Sequence, residues 1–325
     1  MISSKLKKSV VSGLIAMAIS GGQAVAAYPE QPITIVVPFA PGGTTDQAAR
    51  LLAQLLQTST GVTVVVENKL GAGGMVGAQH AARANPNGYT LLYGSDSLIL
   101  QPLVHKGVPV GVEDFIPLVR VRTSATYVGV GPSAPVQSVK ELVALAKSKP
   151  GQINYATGGV GEVNHMSGAS FAMAANIDIV HVPYKGALPA ITDVAAGHVA
   201  IAMGGSVDFL PYLKTGQMRV LAQTGSQRSL AMPDVPTFAE LGYPEVLIVN
   251  WNGLLAPKGT PAAAVEWLND KVSAVATSKE FLDRGRILAI EPGAMLKGQE
   301  FADFLAEQRD RYAKIIEKAG IKLRD

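Results

Sequence analysis

The sequence predicts an α/β protein built from two α/β units. Short apolar stretches suited to buried strands alternate along most of the chain with longer segments of helical periodicity. The length of 325 residues suits two ordinary domains better than one. Apolar side chains make up 48% of the residues and charged side chains only 16%, so the chain can bury a large core and lacks the composition of a disordered protein.

The first 26 residues have the pattern of a secretory signal peptide. Lys5, Lys7 and Lys8 form a basic n-region, an apolar stretch follows at 10–19, and the Ala-Val-Ala run ending at Ala26 supplies the small residues that signal peptidase requires. This apolar stretch is shorter than the roughly 20 residues needed to span a bilayer. We therefore expect an exported, periplasmic protein cleaved near Ala26; retention as an N-terminal anchor is the alternative.

Charge and cysteine content exclude several classes of function. Loss of the three n-region lysines brings the formal net charge from +3 to zero, which leaves no electrostatic argument for binding nucleic acid or a membrane surface. No later segment contains 18 unbroken apolar residues, so we expect no direct membrane insertion after signal cleavage. The absence of cysteine excludes disulfides, thiol nucleophiles and iron–sulfur clusters.

The first α/β unit is predicted from five segments that precede residue 94. A strand at Ile33–Val37 ends at Pro38, and a helix at 45–56, with apolar residues at helical spacing, is closed by Gly61. The other segments are a strand at 62–66, a helix at 74–84 and a strand at 89–93.

The second unit follows the same alternation. Ser138 is followed three residues later by Glu141, which is the signature of a capping box at a helix start. The predicted strands are 128–130, 153–156, 179–182, 199–203 and 218–223, with helices after Ser138 and at 164–175 and 188–196. A strand at 246–255 and helices at 261–277 and 298–319 complete the chain.

This alternation favours a parallel sheet covered by helices on both faces in each unit. Because no Ser/Gly-rich linker separates the units, we expect the chain to cross between them more than once. Ligands of such sheets bind beyond the carboxyl ends of the strands, next to helix N-termini.

The loop after Val37 is the first candidate binding element. Its glycines allow a ligand to approach the backbone closely, and free N–H groups at the following helix N-terminus attract anions. Asp46 is expected in the first helical turn, where a carboxylate satisfies unpaired N–H groups. A tight turn capped by Asp46 without any ligand is the alternative. The candidate residues are Phe39, Ala40, Gly42, Gly43, Thr44, Thr45 and Asp46.

A second loop of the same kind follows the strand at 153–156. Two such loops, one in each unit, predict a cleft with an anion-binding rim on each side. His165 on its own is as compatible with a structural hydrogen bond as with a ligand contact. The candidates here are Thr157, Gly158, Gly161, Asn164 and His165, and loops after three other strands add Ser95, Ser97, Tyr184, Gly204, Ser206 and Asp208.

These loops also predict how the ligand is held. Because neither glycine-rich loop contains an arginine, backbone N–H groups and helix dipoles are expected to meet the ligand's negative charge. We expect Asp46 to hold the anchor shared by all ligands, and Ser206 and Asp208 to influence which ligands bind.

The sequence contains few groups that could support catalysis. The run at 71–77 follows a strand, but Val76 stands where the dinucleotide-binding fingerprint requires its third glycine. The five histidines lie far apart without metal-ligand spacing, and no nucleophile–base pair stands out. We therefore predict no catalytic residue, no metal site and no cofactor.

Motifs along the whole mature chain form a set. They are Pro38-Phe39-Ala40-Pro41-Gly42-Gly43-Thr44-Thr45-Asp46, Val66-Glu67-Asn68-Lys69, Asn87-Gly88-Tyr89-Thr90-Leu91, Pro183-Tyr184-Lys185-Gly186, Asp234-Val235-Pro236-Thr237 and Trp251-Asn252-Gly253. In this order they resemble the receptors of the tripartite tricarboxylate transporter family, also called Bug proteins.

The resemblance implies a type II periplasmic-binding-protein fold, in which two α/β domains close on a small carboxylate. The first domain would comprise residues 27–129 and 249–325, and the second 130–248. In the family both glycine-rich loops grip one carboxylate of the ligand. The second loop departs from the family's pattern, because Glu162 stands where a small hydroxyl side chain is common.

The function implied is a solute receptor, not an enzyme. It would capture a small organic carboxylate (a di- or tricarboxylate, an amino acid or an aromatic acid) as a monomer and deliver it to the inner-membrane permease subunits of a tripartite transporter. A receptor that senses its ligand for a signalling partner, and a secreted hydrolase on the same scaffold, are the alternatives.

The signal-peptide pattern predicts that the mature protein begins at Ala27 or Tyr28, because cleavage follows the small residues at 24–26 or 25–27. Intact-mass analysis of the protein recovered from the periplasm measures this directly. A mass that retains residues 1–26 would contradict the prediction.

Overall fold

The structure is a computed structural model that describes residues 28–288 and 295–323. The predicted signal peptide at 1–26 lies outside these residues. Within the described part of the chain, none of the helices combines the length and the apolar character needed to cross a membrane.

Two sheets, each flanked by helices, make up the architecture. The elements of the first half are β1 (Ile33–Val37), α1 (Thr44–Thr60), β2 (Val64–Asn68), α2 (Met75–Ala82), β3 (Thr90–Ser95), α3 (Ser97–Val104), β4 (Phe115–Ala125), β5 (Tyr127–Val130), α4 (Val139–Ser148) and β6 (Ile153–Thr157). Those of the second half are α5 (Val163–Ala175), β7 (Ile179–Pro183), α6 (Ala187–Ala195), β8 (Ile201–Gly204), α7 (Ser206–Lys214), β9 (Arg219–Gln223), β10 (Val249–Pro257), α8 (Ala262–Ala276), α9 (Lys279–Ile287), β11 (Leu296–Lys297) and α10 (Gln299–Lys318).

The predicted strands and helices are present, with bounds shifted by a few residues. At the end of α1, Gly61 adopts the left-handed conformation (φ 74°), and its N–H donates to the Gln57 carbonyl oxygen. At the start of α4, Ser138 accepts a hydrogen bond from the Glu141 N–H, whereas the Glu141 carboxylate reaches the N–H of Gln137. The capping box is therefore formed with its second bond displaced by one residue.

Several elements were not predicted, and each has a local reason. Pro102 and Pro211 lie inside α3 and α7, where a proline ordinarily argues against a helix. In β4, Pro117 and two arginines interrupt the apolar run, although both arginine side chains are largely buried. Arg120 places its guanidinium 4.4 Å from the centre of the Phe304 ring, which lets an apolar environment accept its charge.

The prediction of parallel sheets is wrong in part, because both sheets are mixed. The first sheet has the order β11-β4-β10-β3-β1-β2 and the second β7-β6-β8-β5-β9. Strands joined by helices within one sheet pair in parallel, namely β1 with β2 and β3, and β6 with β7 and β8. β10 and β5 pair antiparallel with their neighbours. The chain enters each of these strands from the other sheet, so no helical crossover within the same sheet leads into them. Parallel pairing requires such a crossover.

The chain passes between the sheets twice. β4 in the first sheet continues through Thr126 into β5 in the second sheet, and the chain returns through the segment between β9 and β10. The predicted division between residues 129 and 130 falls inside β5, so we propose that the first crossing lies at Thr126.

The cores cover both faces of each sheet, and one of them is shared. On the first sheet, α1 and α8 cover one face, and α2, α3 and α10 cover the other. Met166 and Ala169 of α5, which belongs to the second sheet, pack in the same apolar cluster as Tyr312 and Ile315 of α10. The two α/β units are thus joined by apolar packing as well as by the chain.

Candidate functional site

A cavity of about 350 Å³ lies between the two α/β units. Most of its wall comes from the first unit, and the start of α5 supplies the wall from the second. The lining residues are Phe39, Thr45, Gly73, Ser95, Asp96, Ser97, Leu100, Gln101, Arg122, Ser124, Gly161, Glu162, Val163, Asn164, Asn250, Trp251 and Asn252.

Strand register creates the polar floor of this cavity. Asn252 of β10 lies opposite Ser95 of β3 on one side and opposite Arg122 of β4 on the other. Residues directly opposite each other on paired strands stand within contact distance, so the three side chains form one row across the sheet. Asn250 and Ser124 form the next row of the same strand pair.

Arg122 brings a positive charge into this floor. Its Nη1 donates to Asn252 Oδ1 (3.2 Å) and its Nη2 donates to Ser124 Oγ (3.2 Å), while Asn252 Nδ2 donates to the Gly94 carbonyl oxygen (3.2 Å). These acceptors orient the guanidinium at the cavity wall. Arg122 can therefore interact with an anion in the cavity.

Asp96 is a buried carboxyl group at the end of the same sheet. Its Oδ2 accepts from the Trp251 N–H (2.9 Å) and its Oδ1 accepts from the Tyr312 hydroxyl (2.7 Å). Burial raises the pKa of Asp96 to about 7, although these hydrogen bonds and the charge of Arg122 act in the opposite direction. Asp96 thus ties β10 and α10 to the start of α3.

The N-termini of α1 and α5 both open onto the cavity. Neither Gly43 nor Glu162, the N-cap residues of these helices, makes a side-chain cap hydrogen bond. Thr45 in the first turn of α1, and Val163 and Asn164 in the first turn of α5, line the cavity. First-turn N–H groups and the positive end of the helix dipole favour a bound anion, here from both sides of the cavity.

Asp46 holds the first loop but does not line the cavity. Its carboxylate accepts from the Gly42 N–H, from Arg50 Nε and from Asn68 Nδ2, each at 2.8 Å. Burial alone would raise the pKa of Asp46, but the bonds from Arg50, Gly42 and Asn68 together keep it below its usual value. Asp46 is therefore an internal support of the loop that precedes α1.

The second loop uses its own side chains to satisfy its backbone. The Gly161 N–H donates to His165 Nδ1 (3.2 Å), and the Gly159 N–H donates to Thr157 Oγ1 (3.3 Å). Thr157 Oγ1 also lies 2.7 Å from His181 Nε2, and the His165 and His181 rings stack with centroids 3.8 Å apart. Two of the N–H groups expected to meet the ligand are thus engaged within the loop.

The structure brings some of the predicted residues together in the cavity and places others elsewhere. Those that line it are Phe39, Thr45, Ser95, Ser97, Gly161 and Asn164. Those that do not are Ala40, Gly42, Gly43, Thr44, Asp46, Thr157, Gly158, His165, Tyr184, Gly204, Ser206 and Asp208.

Several residues in the second group have structural partners. The Tyr184 hydroxyl donates to Asp193 Oδ2 (2.7 Å). Asp208 accepts from the Gly205 N–H (2.9 Å) at the start of α7, and burial raises its pKa. The expected selectivity role of Ser206 and Asp208 therefore has no contact with this cavity to support it.

Several lining residues were not predicted from the sequence. Arg122, Ser124, Asn250 and Asn252 come from β4 and β10, Asp96 is the N-cap residue of α3, and Gln101 lies within α3. The sequence did contain a signal for Arg122. Arg120 and Arg122 lie two residues apart in a strand-like segment, and an arginine in a strand is rarely buried without a polar partner. Among the described residues, no group of three potential ligands is arranged to hold a metal ion.

Comparison with known proteins agrees with this architecture. A family model described as "Tripartite tricarboxylate transporter family receptor" matches residues 48–321. The chain is 34% identical over 303 residues to Protein BugT from Bordetella pertussis, covering 91% of this chain and 92% of BugT. The chain has the fold of the periplasmic solute-binding proteins, as predicted, and it belongs to the tripartite tricarboxylate transporter receptor family.

Two solved structures of this fold contain ligands. An R. palustris protein with adipate is 31% identical, with a TM-score of 0.77, and the match covers 91% of this chain and all of that one. MatC from Rhodopseudomonas palustris, with bound malate, is 28% identical, with a TM-score of 0.71 and coverage of 89% and 100%. Both ligands are carboxylates.

We predict that Asp96 makes the protein less stable as the pH rises. Its folded-state pKa of about 7 lies above the ordinary value of roughly 3.9, so protonation favours the folded state. Its contribution is fully present below pH ~4 and is lost as the pH rises to ~7, by at most about 1.4 kcal/mol per pH unit. Asp96→Asn, in which the amide can still pair with Tyr312 and the Trp251 N–H, should remove this loss.

Urea unfolding of the wild type and of Asp96→Asn at pH 4.5, 6 and 8 tests the prediction. The free energy of unfolding of the variant should gain on that of the wild type as the pH rises. Asp270→Asn, an exposed change on α8, is the matched control. An unchanged difference between wild type and Asp96→Asn across this range would contradict the assignment.

Proposed function

We propose that this protein is a periplasmic receptor that captures a small organic carboxylate and delivers it to the permease subunits of a tripartite transporter. The observation that carries the proposal is the meeting of two helix N-termini without side-chain caps, those of α1 and α5, at one cavity. Arg122 adds a positive charge to the same cavity. The adipate and malate in the related structures support a carboxylate as the ligand class.

The size of the cavity and the origin of its wall fit this role. About 350 Å³ lies near the lower end of the range for small-molecule pockets. The wall comes from both α/β units, as a cleft that encloses its ligand requires, and we propose that the receptor acts as a monomer.

Closure of the two units would complete the enclosure of the ligand. A Cβ atom on Gly161 of the second loop would lie 2.5 Å from Val104 Cγ2 at the end of α3. Gly161 also has a φ of +77°, which a side chain rarely allows. The two units therefore touch beside the cavity, at a point where only glycine leaves enough room.

A thermal-shift screen of carboxylic acids, including adipate, malate, succinate, citrate, glutamate and aspartate, tests the ligand class. A ligand at about 100 times its dissociation constant stabilises the folded state by roughly 2.7 kcal/mol.

Calorimetry on the best ligand should then show at least about a tenfold loss of affinity in Arg122→Gln, since a hydrogen bond to a charged group contributes about 1.5–3 kcal/mol.

Arg120→Gln is the matched control, because Arg120 lies two residues earlier on β4, is equally buried and does not line the cavity. It should bind the ligand as the wild type does. Failure of every acid to stabilise the protein would contradict the proposed function, and wild-type affinity in Arg122→Gln would remove Arg122 from the site.

We predict that Trp251 reports ligand binding and that Trp267 does not. Trp251 belongs to the cavity wall, and its buried ring packs edge-on against Phe301, with centroids 5.4 Å apart. Trp267 instead packs against Tyr28, away from the cavity. Intrinsic fluorescence with the best carboxylate should change in the wild type and stay constant in Trp251→Phe; an equal response in the two proteins would contradict the prediction.

A further inference from the structure

Glu162 is a carboxylate in the wall of the cavity that the proposed function leaves without a role. It is the N-cap residue of α5, its side chain is exposed to the cavity, and it lies on the second unit. An anion bound at the α5 N-terminus would therefore lie beside a negative charge that repels it.

The glycines of the second loop make room for this carboxylate. A Cβ atom on Gly158 would lie 2.6 Å from Glu162 Oε2, and one on Gly159 would lie 3.1 Å from Glu162 Oε1. The carboxylate thus rests over the Gly158–Gly159 backbone.

No described residue donates a hydrogen bond or an ion pair to the Glu162 carboxylate. The walls of the cleft limit its hydration, and this desolvation raises its pKa. Glu162 remains exposed, so a cation or a donor group of a ligand can reach its carboxylate and stabilise the ionised form.

The other charges of the described cavity wall do not balance Glu162. The wall contains one guanidinium, that of Arg122, and two carboxyl groups, those of Asp96 and Glu162. Asp96 has its own donors in Tyr312 and the Trp251 N–H and is also stabilised by the charge of Arg122. The carboxylate left to face a ligand is therefore that of Glu162.

We propose that Glu162 is a specificity-determining residue that selects carboxylate ligands carrying a cationic amino group. This inference rests on the proposed function, because the ligand's carboxylate is placed at Arg122 and the helix N-termini. The ammonium group then pairs with Glu162 on the second unit. A plain dicarboxylate would instead bring a second negative charge towards Glu162, and such like-charge contact disfavours the wrong ligand.

Calorimetry with acids that differ only by an amino group tests this selection. The pairs are glutamate with glutarate, aspartate with succinate, and 4-aminobutanoate with butanoate. The wild type should bind the amino member of at least one pair at least tenfold more tightly than its plain partner. In Glu162→Gln, which keeps the shape and removes the charge, that preference should disappear or reverse.

Two further variants separate selection from folding. Glu162→Ser places a favoured N-cap residue at the start of α5, so it should fold at least as well as the wild type and also lose the preference. Glu266→Gln, an exposed change on α8 outside this cavity, should keep the preference.

A preference for the plain acids in the wild type, or an unchanged preference in Glu162→Gln, would overturn the inference and leave the carboxylate receptor standing. Failure of both members of every pair to bind, while another acid of the thermal-shift screen stabilises the protein, would likewise overturn only the inference; failure of every acid of that screen would overturn the proposed function itself.

Discussion

The paired crossings between the two sheets are the constraint on which the rest of the structure depends. Thr224 ties them together: its Oγ1 accepts from the Thr126 N–H (3.0 Å) and donates to the Ile248 carbonyl oxygen, and its own N–H donates to the Thr126 carbonyl oxygen (2.9 Å). Both crossings are thereby held side by side, and the cavity residues of β4 and β10 lie directly next to them. The floor of the site therefore lies next to the two crossings, and a change in the angle between the units would alter its geometry directly.

A short polar chain carries this constraint to the opposite wall. Asn250 Nδ2 donates to Thr126 Oγ1 (3.3 Å), and Thr126 Oγ1 donates to Asn164 Oδ1 (3.0 Å) in the first turn of α5. Apolar packing of Met166 against α10 supports the same helix from below. The α5 N-terminus is thus positioned relative to the first unit by contacts beside the two crossings.

Local patterns in the sequence were sufficient for most of the elements and for part of the site. Apolar spacing and terminal glycines specify β1, α1 and the loop between them, because these features act within a few residues. The polar floor was not accessible in this way: Ser95, Asn252 and Arg122 meet only through the register of three strands that are distant in sequence. The internal bonds of the second loop were not accessible for a similar reason: His165 accepts from the Gly161 N–H and is itself stacked on His181. The glycines predict a flexible backbone, but they do not predict which side chain will accept a hydrogen bond from each backbone N–H group.

The distribution of charge over the two units has a consequence for closure. Arg122 and Asp96 both belong to the first unit, whereas Glu162 belongs to the second. A ligand that carries only negative charge gains its favourable contacts from the first unit and the α5 N-terminus, and meets repulsion from Glu162 as the units approach. A ligand with an ammonium group gains a further contact at that same step. Differential interaction with two states is what shifts the equilibrium between them, so the proposed contact at Glu162 on the second unit would make any closure of the units depend on the ligand's charge pattern.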